Sequence, residues 1–166
     1  MDKILKIFFF ILVLSPLNGE EISGIPKIID GDTIYIEKYK IRLQGIDAPE
    51  IKQFCKKDYL KISAFTGFNF RKNYACGLLS KKKLDQKISN SKIKCISLSK
   101  DRYKRRLATC YKNNIDLNKW MVRYGYAVAY LRYSKEYLND EKYAKENKLG
   151  LWKGTFLRPE KWRKLN

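Results

Sequence analysis

Three carboxylates lie close together along a strongly basic chain. Asp32 opens a β-rich segment, and Asp47 and Glu50 follow another such segment. Five of the 17 acidic residues fall between positions 30 and 50, although Lys and Arg together number 36. Grouped carboxylates repel one another unless a hard cation lies between them, and an all-oxygen set favours calcium or magnesium. The spacing fits equally well with simple turns, because Asp-Gly and Asp-x-Pro are common in turns.

Histidine is absent from the 166 residues, and its absence excludes several kinds of active site. The chain cannot form a Ser-His-Asp triad, a Cys-His pair, a paired-histidine ribonuclease site or a zinc site built on imidazole. Acid–base chemistry near neutral pH must therefore come from carboxylates, tyrosine, lysine or water bound to a metal ion.

The formal net charge of +19 indicates a polyanionic partner. Such a protein attracts nucleic acid, an anionic membrane or an acidic glycan. The alternative is a basic surface that reflects a lysine-rich proteome, since Lys outnumbers Arg 27 to 9. That alternative does not explain arginines at particular positions. The length fits one domain, and a hydrophobic content of 45% is enough for a core.

The amino terminus has the pattern of a targeting segment. Lys3 and Lys6 precede an apolar run, 7–14, that is too short to span a bilayer. This pattern predicts a secretory signal peptide over residues 1–19, with an uncleaved anchor as the alternative. Its removal takes away two lysines and one aspartate and leaves a charge of +18. We therefore expect a periplasmic or secreted protein whose domain, 20–166, has no stable membrane insertion.

Export changes the interpretation of the cysteines, which are Cys55, Cys76, Cys95 and Cys110. An even number in an oxidising compartment predicts disulfides, and the absence of a C-x-x-C motif argues against a zinc ribbon. Three pairings are possible. We favour Cys95–Cys110 together with Cys55–Cys76.

Alternation of apolar residues and turn signals predict five strands. The predicted strands are 25–29, 33–37, 40–45, 92–98 and 107–112. If Leu98 pairs with Leu107 in the last two, Cys95 lies directly opposite Cys110. Their Cα atoms would then be about 4.5–5.5 Å apart, within reach of a disulfide.

Helical patterns occupy much of the remaining chain. The predicted helices are 77–88, 116–125 and 136–149. Asp116 and Ser134 are the expected amino-terminal caps, and Gly125 and Gly150 the expected terminators. Residues 51–75 predict a long loop with at most one helical turn. Five strands with interspersed helices indicate a small barrel with helices packed on it.

Three stretches of the sequence together resemble the signature motifs of the staphylococcal nuclease family. They are Ile29-Asp30-Gly31-Asp32-Thr33, Ile41-Arg42-Leu43-Gln44-Gly45-Ile46-Asp47-Ala48-Pro49-Glu50 and Asp101-Arg102-Tyr103-Lys104-Arg105. The similarity covers roughly residues 25–153, with 51–75 as an insertion. The cysteines and the closing segment, 156–162, resemble the exported bacterial branch of the family.

This resemblance implies an α+β fold, namely an OB-fold five-stranded β-barrel with three α-helices. It also implies a monomer that hydrolyses DNA and RNA phosphodiesters with calcium and favours single-stranded or locally melted substrate. Asp32, Asp47 and the backbone carbonyl of Ala48 would hold the calcium ion. Glu50 would position or deprotonate the attacking water.

The same resemblance implies roles for two arginines and two tyrosines. Arg42 and Arg105 would bind the phosphate and the extra charge of its transition state. A guanidinium offers phosphate oxygens a planar fork, which lysine lacks. Tyr103 and Tyr130 would line the nucleotide pocket, although packing alone also accounts for them.

Three positions depart from the family pattern. Lys104 stands where glycine is common, and a positive φ there would cost about 1 kcal/mol. Ala48 replaces a threonine, and Arg132 replaces a pocket tyrosine. The alternatives to a nuclease are a catalytically weak nucleic-acid-binding module on the same fold, or a cationic protein acting on membranes or glycans. The second is weaker, because no predicted helix has a wide lysine face opposite an apolar one.

Overall fold

A computed structural model describes residues 19–61 and 69–166, so the predicted signal peptide lies almost entirely outside the described residues. The twelve strands of this part are β1 Glu20–Gly24, β2 Lys27–Ile28, β3 Thr33–Ile36, β4 Tyr39–Leu43, β5 Ile46–Asp47, β6 Phe54–Lys61, β7 Asn69–Ala75, β8 Ile93–Lys100, β9 Arg106–Lys112, β10 Ile115–Asp116, β11 Val128–Ala129 and β12 Gly154–Thr155. Its helices are α1 Cys76–Ile88, α2 Leu117–Arg123, α3 Leu138–Glu146, α4 Pro159–Leu165 and the short 3-10 helix Gly150–Lys153.

The main sheet has seven strands in the order β1-β8-β9-β4-β3-β2, with β10 paired to β9. Its pairs are antiparallel except for β4 and β9, which run parallel. The sheet is curled into a half-barrel, so the predicted α+β, OB-like class is confirmed. All five predicted strands are present, whereas β1, β5, β6, β7, β10, β11 and β12 were not predicted.

Alternation along the strands decides which side chains fill the half-barrel. In β4, Ile41 and Leu43 are fully buried and Arg42 between them points the other way. In β9, Ala108 and Cys110 are buried in the same manner. The helices cover this core with Leu84, Leu117 and Met121, among others.

Residues 51–75 differ from the predicted loop. Within this range, 54–61 and 69–75 form the antiparallel strands β6 and β7, and β12 adds to β6 as a third strand. Residues 62–68 of the predicted loop lie outside the described residues. Prediction failed here because the segment lacks alternation and its two strands pair with each other outside the main sheet. The predicted Cys55–Cys76 disulfide is present where β6 begins and α1 follows β7.

The second predicted disulfide, Cys95–Cys110, is also present. The two residues are direct partners in the β8–β9 ladder, with a Cα separation of 4.0 Å, shorter than predicted. The register shifts between Ser97 and Ser99, so Leu107 pairs with Ser99 and not with Leu98. The bulge leaves Leu98 63% exposed, which removes the apolar contact on which the prediction relied.

The helices follow their capping signals with one exception. The predicted first and second helices are present, and the Asp116 side chain accepts a hydrogen bond from the Lys119 backbone N–H. The third begins two residues later than predicted, and Ser134 instead accepts from the Glu136 backbone N–H in the preceding turn. It also ends at Glu146, three residues early, so Gly150 does not terminate it and instead begins the short 3-10 helix. Helix α4 was not predicted. None of the helices in the described ranges has the length and apolar character needed to cross a membrane.

A buried asparagine joins helix α2 to strand β9 and to the turn that follows β4. The Asn118 amide nitrogen donates to the carbonyls of Gln44 and Ala108, and its oxygen accepts from the Cys110 backbone N–H. Gln44 lies in the turn between β4 and β5, which carry Arg42 and Asp47. Asn118 therefore helps to hold the strands that carry the candidate site.

The turn between β8 and β9 places Lys104 in a positive-φ conformation, which glycine adopts more easily than lysine. Lys104 has a φ of 62° and donates its backbone N–H to the Asp101 carbonyl. The Asp101 side chain accepts from the backbone N–H groups of Tyr103 and Arg105. These hydrogen bonds maintain the turn with a lysine in a left-handed conformation.

Replacing Lys104 with glycine should therefore stabilise the protein by about 1 kcal/mol, because glycine adopts positive φ without the Cβ clash. Urea unfolding of the Lys104→Gly variant measures this gain. The matched control is Lys104→Ala, which removes the side chain and keeps the strain. Equal stabilities of these two variants would contradict strain at this turn.

Replacing Asn118 with alanine should lower the free energy of unfolding by about 2–4 kcal/mol. The change removes the Asn118 partner of the Gln44 carbonyl and of the buried Cys110 N–H, whereas the Ala108 carbonyl still accepts from the Gln44 backbone N–H. Urea unfolding compares this variant with Asn139→Ala, which removes an exposed asparagine from α3 and should change stability by less than about 0.5 kcal/mol. A similar small effect at Asn118 would show that the buried groups find other partners.

Candidate active site

Asp32 is held at the start of β3 by the turn before it. The Asp32 backbone N–H donates to the Asp30 side chain at 2.9 Å. Asp32 is buried, with 3% of its surface exposed. The turn packs tightly against helix α1, since a Cβ on Gly31 would lie 2.0 Å from Ser80 Oγ. Glycine is required at this position to bring Asp32 under the helix.

Asp47 reaches the same place from β5. This short strand pairs with β11, and Asp47 lies opposite Val128 and is 1% exposed. The next residue, Ala48, donates its backbone N–H to Asp32 Oδ2 at 2.8 Å. The two predicted metal-binding carboxylates therefore stand side by side, on strands that are separate in sequence.

Arg42 lies between these two carboxylates. Its Nη1 is 2.7 Å from Asp32 Oδ1, and its Nη2 is 3.0 Å from Asp47 Oδ1. Arg42 leaves β4 on the face opposite the core, and its partner across the ladder is Thr33, next to Asp32. The predicted phosphate-binding arginine and the predicted metal ligands thus form one buried cluster.

Glu50 joins the cluster through an arginine that sequence analysis did not identify. Arg163 Nη1 is 2.9 Å from both Glu50 Oε1 and Asp47 Oδ1, and its Nη2 is 3.1 Å from Asp47 Oδ2. Arg163 lies in α4, over 110 residues away along the chain. Arginine is the rarer of the two residue types among the 36 basic residues, and this was the only hint that Arg163 has a special role. Nothing in the neighbouring sequence linked Arg163 to the motifs.

Burial and mutual charge shift the protonation of this cluster. Burial, together with the charge of Asp32, raises the pKa of Asp30 to about 6. Burial also raises the pKa of Asp47 above its usual range. Burial lowers the pKa of Arg42, but the charges of Asp32 and Asp47 outweigh it and hold that pKa above its ordinary value. The guanidinium therefore stays charged between the carboxylates.

The other predicted arginine, Arg105, lies just before β9 and is bound to Asp101. Its Nε and Nη2 are each 2.7 Å from Asp101 Oδ2. Strand β9 runs parallel to β4, and Leu107 is the partner of Arg42. Since alternate residues share a face, Arg105 projects from the same face of the sheet as Arg42. No contact joins Arg105 to the carboxylate cluster among the described residues.

The two predicted pocket tyrosines occupy different surroundings. Tyr103 is 64% exposed in the β8–β9 turn, and its ring lies against the guanidinium groups of Arg102 and Arg105. Tyr130 follows β11, where burial and the nearby charge of Asp47 raise its pKa. Arg132, the departure from the family pattern, lies 3.9 Å from Glu160 of α4. Tyr130 therefore lies near Asp47, whereas Tyr103 lies in the neighbouring arginine turn.

The donor atoms of the cluster fit a hard divalent cation in type. Asp32 and Asp47 present carboxylate oxygens to a shared position, which Arg42 spans in this structure. Within residues 19–61 and 69–166, no three carboxylate or thiol side chains are arranged to hold a metal ion by themselves. A cation would therefore rely on two carboxylates, a backbone carbonyl and water, and would displace contacts of Arg42.

Comparison with known proteins assigns the chain to a family. The model of the staphylococcal nuclease homologue family matches residues 40–154. An uncharacterized endonuclease of Haemophilus influenzae is 32% identical over 161 residues, which are 92% of this chain and 79% of that protein. The succinoglycan biosynthesis protein ExoI of Rhizobium meliloti is 33% identical over 138 residues, 81% of this chain and 66% of that protein.

A more distant relative carries the family's name. The probable staphylococcal-like nuclease CAN3 of Oryza sativa subsp. japonica is 28% identical over 136 residues, 80% of this chain and 30% of that protein. Asp32 and Arg163 lie outside the residues that the family model matches, whereas Arg42, Asp47 and Glu50 lie within them. With its curled sheet and its cluster of carboxylates and arginine, the chain belongs to the staphylococcal nuclease homologue family.

Proposed function

We propose that this protein is an exported, calcium-dependent nuclease that hydrolyses phosphodiester bonds of DNA and RNA. The observation that carries the proposal is the pairing of Asp32 and Asp47 around the Arg42 guanidinium. Buried like charges are costly, and a strongly basic chain that places two carboxylates together must gain from them elsewhere. Family membership and the endonuclease name of a 32% identical relative support the same class of reaction.

In this proposal, some residues of the cluster bind the metal ion and another activates the attacking water. Asp32, Asp47 and the Ala48 carbonyl would hold the calcium ion, which when bound supplies positive charge beside the reacting phosphate. Glu50 orients the attacking water or accepts its proton. Glu50 suits this role because it stands next to the buried pair yet remains partly exposed, so water reaches it.

Arg42 and Arg105 act on the phosphate. Attack on a phosphodiester adds negative charge to the equatorial oxygens, so guanidinium groups stabilise the transition state more than the substrate. Both arginines face the same side of the β4–β9 pair, and each is anchored by a carboxylate. Tyr103 and Tyr130 border this surface and contact the nucleotide.

The charge of the chain fits a nucleic-acid substrate. At +19 it attracts the phosphate backbone and binds it with a strong dependence on salt. Single-stranded or locally melted regions reach a site at the surface of a half-barrel most easily. We further propose that the protein acts as a monomer, and that the two disulfides reflect folding in an oxidising compartment.

Hydrolysis of plasmid DNA and of RNA should require calcium and stop in excess chelator. Magnesium should support less activity, since it demands stricter octahedral geometry. Asp32→Asn should weaken calcium binding, measured by titration calorimetry, because it removes a charged ligand from a site with few. Asn139→Ala is the control, with unchanged calcium affinity. Full activity in chelator would contradict the proposal, and tight nucleic-acid binding without cleavage would favour a binding module.

Arg105→Lys should lower kcat by about 100- to 1,000-fold while changing KM little. The variant keeps the charge that attracts substrate and loses the planar fork that acts mainly in the transition state. Single-turnover cleavage of a labelled oligonucleotide measures the effect. The control is Arg102→Lys, the same exchange at an exposed position in the same turn. If the two variants behaved alike, Arg105 would not be the catalytic arginine.

A further inference from the structure

The carboxyl-terminal helix brings a second guanidinium to the candidate site. Arg163 forms a two-point contact with the Asp47 carboxylate, and its Nη1 also reaches Glu50 Oε1. The Arg163 side chain is 32% exposed, so one side of the guanidinium faces the carboxylates and the other remains accessible. This contact links the candidate metal ligand to the candidate acid–base group.

Helix α4 is fixed in place by contacts that do not involve the site. Arg158, its N-cap residue, donates to both carboxylate oxygens of the buried Glu141 and to the Ala129 carbonyl. Just before it, the carbonyl of Leu157 accepts from the buried Gln53 amide at 2.8 Å. Residues from β11, α3 and the segment after Glu50 therefore determine where Arg163 lies.

The ion pair between Arg158 and Glu141, which anchors α4, and the Arg163 guanidinium both stay ionised near neutral pH. Although burial raises the pKa of Glu141, hydrogen bonds and charge from Arg158 hold that pKa below its usual range. Burial lowers the pKa of Arg163, but hydrogen bonds to Asp47 and Glu50 raise it well above its ordinary value. Arg163 is thus a permanent cation at the edge of the carboxylate cluster.

We propose that Arg163 is a positioning residue of the active site, which orients Glu50 relative to Asp47 for its action on the attacking water. This inference rests on the proposed nuclease function. Arg163 binds one oxygen of Glu50 and leaves the other oxygen free to contact water. The fork on Asp47 fixes the guanidinium, so the carboxylate of Glu50 has a defined place next to a buried partner.

The geometry predicts opposite effects on reaction rate and on metal affinity. Without Arg163, the Glu50 carboxylate loses its anchor, and a displacement of about 1 Å at a reacting group costs up to about 100-fold in rate. The same change removes a positive charge 2.9 Å from an Asp47 oxygen. Because this charge repels a cation bound to Asp47, its removal should increase calcium affinity. If Arg163 only supported the fold, its removal would lower both the reaction rate and the calcium affinity.

The test compares Arg163→Met with Lys161→Met in the full mature chain. Lys161 is exposed on the same helix, so its variant removes one positive charge without touching the cluster. Thermal unfolding shows that each variant folds, steady-state cleavage of a labelled oligonucleotide gives kcat and KM, and titration calorimetry with calcium chloride gives the dissociation constant.

We expect Arg163→Met to lower kcat about 10- to 100-fold, to change KM less than threefold, and to bind calcium more tightly than the wild type. Arg163→Lys should recover only part of the lost kcat, because one ammonium group cannot reproduce the fork. Lys161→Met should match the wild type in all three quantities.

Three results would overturn the inference while leaving the proposed nuclease intact. They are an unchanged or increased kcat in Arg163→Met, full recovery in Arg163→Lys, and a parallel loss of calcium affinity and kcat, which would assign Arg163 a structural role. A wild-type protein that neither cleaves nucleic acid nor binds calcium would overturn the proposed function and this inference together.

Discussion

The arrangement of the site depends on two carboxylates that are buried side by side. Asp32 and Asp47 are almost fully enclosed, and their repulsion is offset by the Arg42 guanidinium and the Ala48 backbone N–H. A buried charge whose partner is removed costs several kcal/mol, so each member of the cluster requires the others. Three local features bring the Asp32, Arg42 and Asp47 side chains together. They are the turn before β3, the outward face of β4 and the pairing of β5 with β11. The carboxylate cluster is therefore organised around the positive charge of Arg42.

Strands β4 and β5 and the turn before β3 carry the residues of this cluster, while the residues that support them come from distant parts of the chain. Asn118 joins α2 to the strands, and Arg163 arrives on a helix that is held by Glu141 through Arg158. The Cys95–Cys110 disulfide links β8 to β9 in the main sheet, and Cys55–Cys76 links β6 to the first residue of α1. These hydrogen bonds and disulfides restrain the elements around the charged site.

The sequence was sufficient for those parts that depend on local patterns. Alternation around Arg42 placed it outside the core, and the Asp116 cap and the terminating Gly125 gave α2 correctly. The β6–β7 strand pair was missed because its strands pair only with each other and with β12, outside the main sheet, and their sequences have no regular alternation. Arg163 was missed for a different reason. Its partners are over 110 residues away, and no local rule links a helix at the end of the chain to motifs at its beginning.

The most direct test is a crystal structure of residues 20–166 grown with calcium and a non-hydrolysable phosphorothioate dinucleotide. The account predicts a calcium ion on Asp32 and Asp47, Arg42 turned from these carboxylates to a phosphate oxygen, and Arg163 still bound to Glu50. A cation bound elsewhere, with Arg42 still bridging Asp32 and Asp47, would contradict the central claim that this carboxylate pair is the metal site of a nuclease.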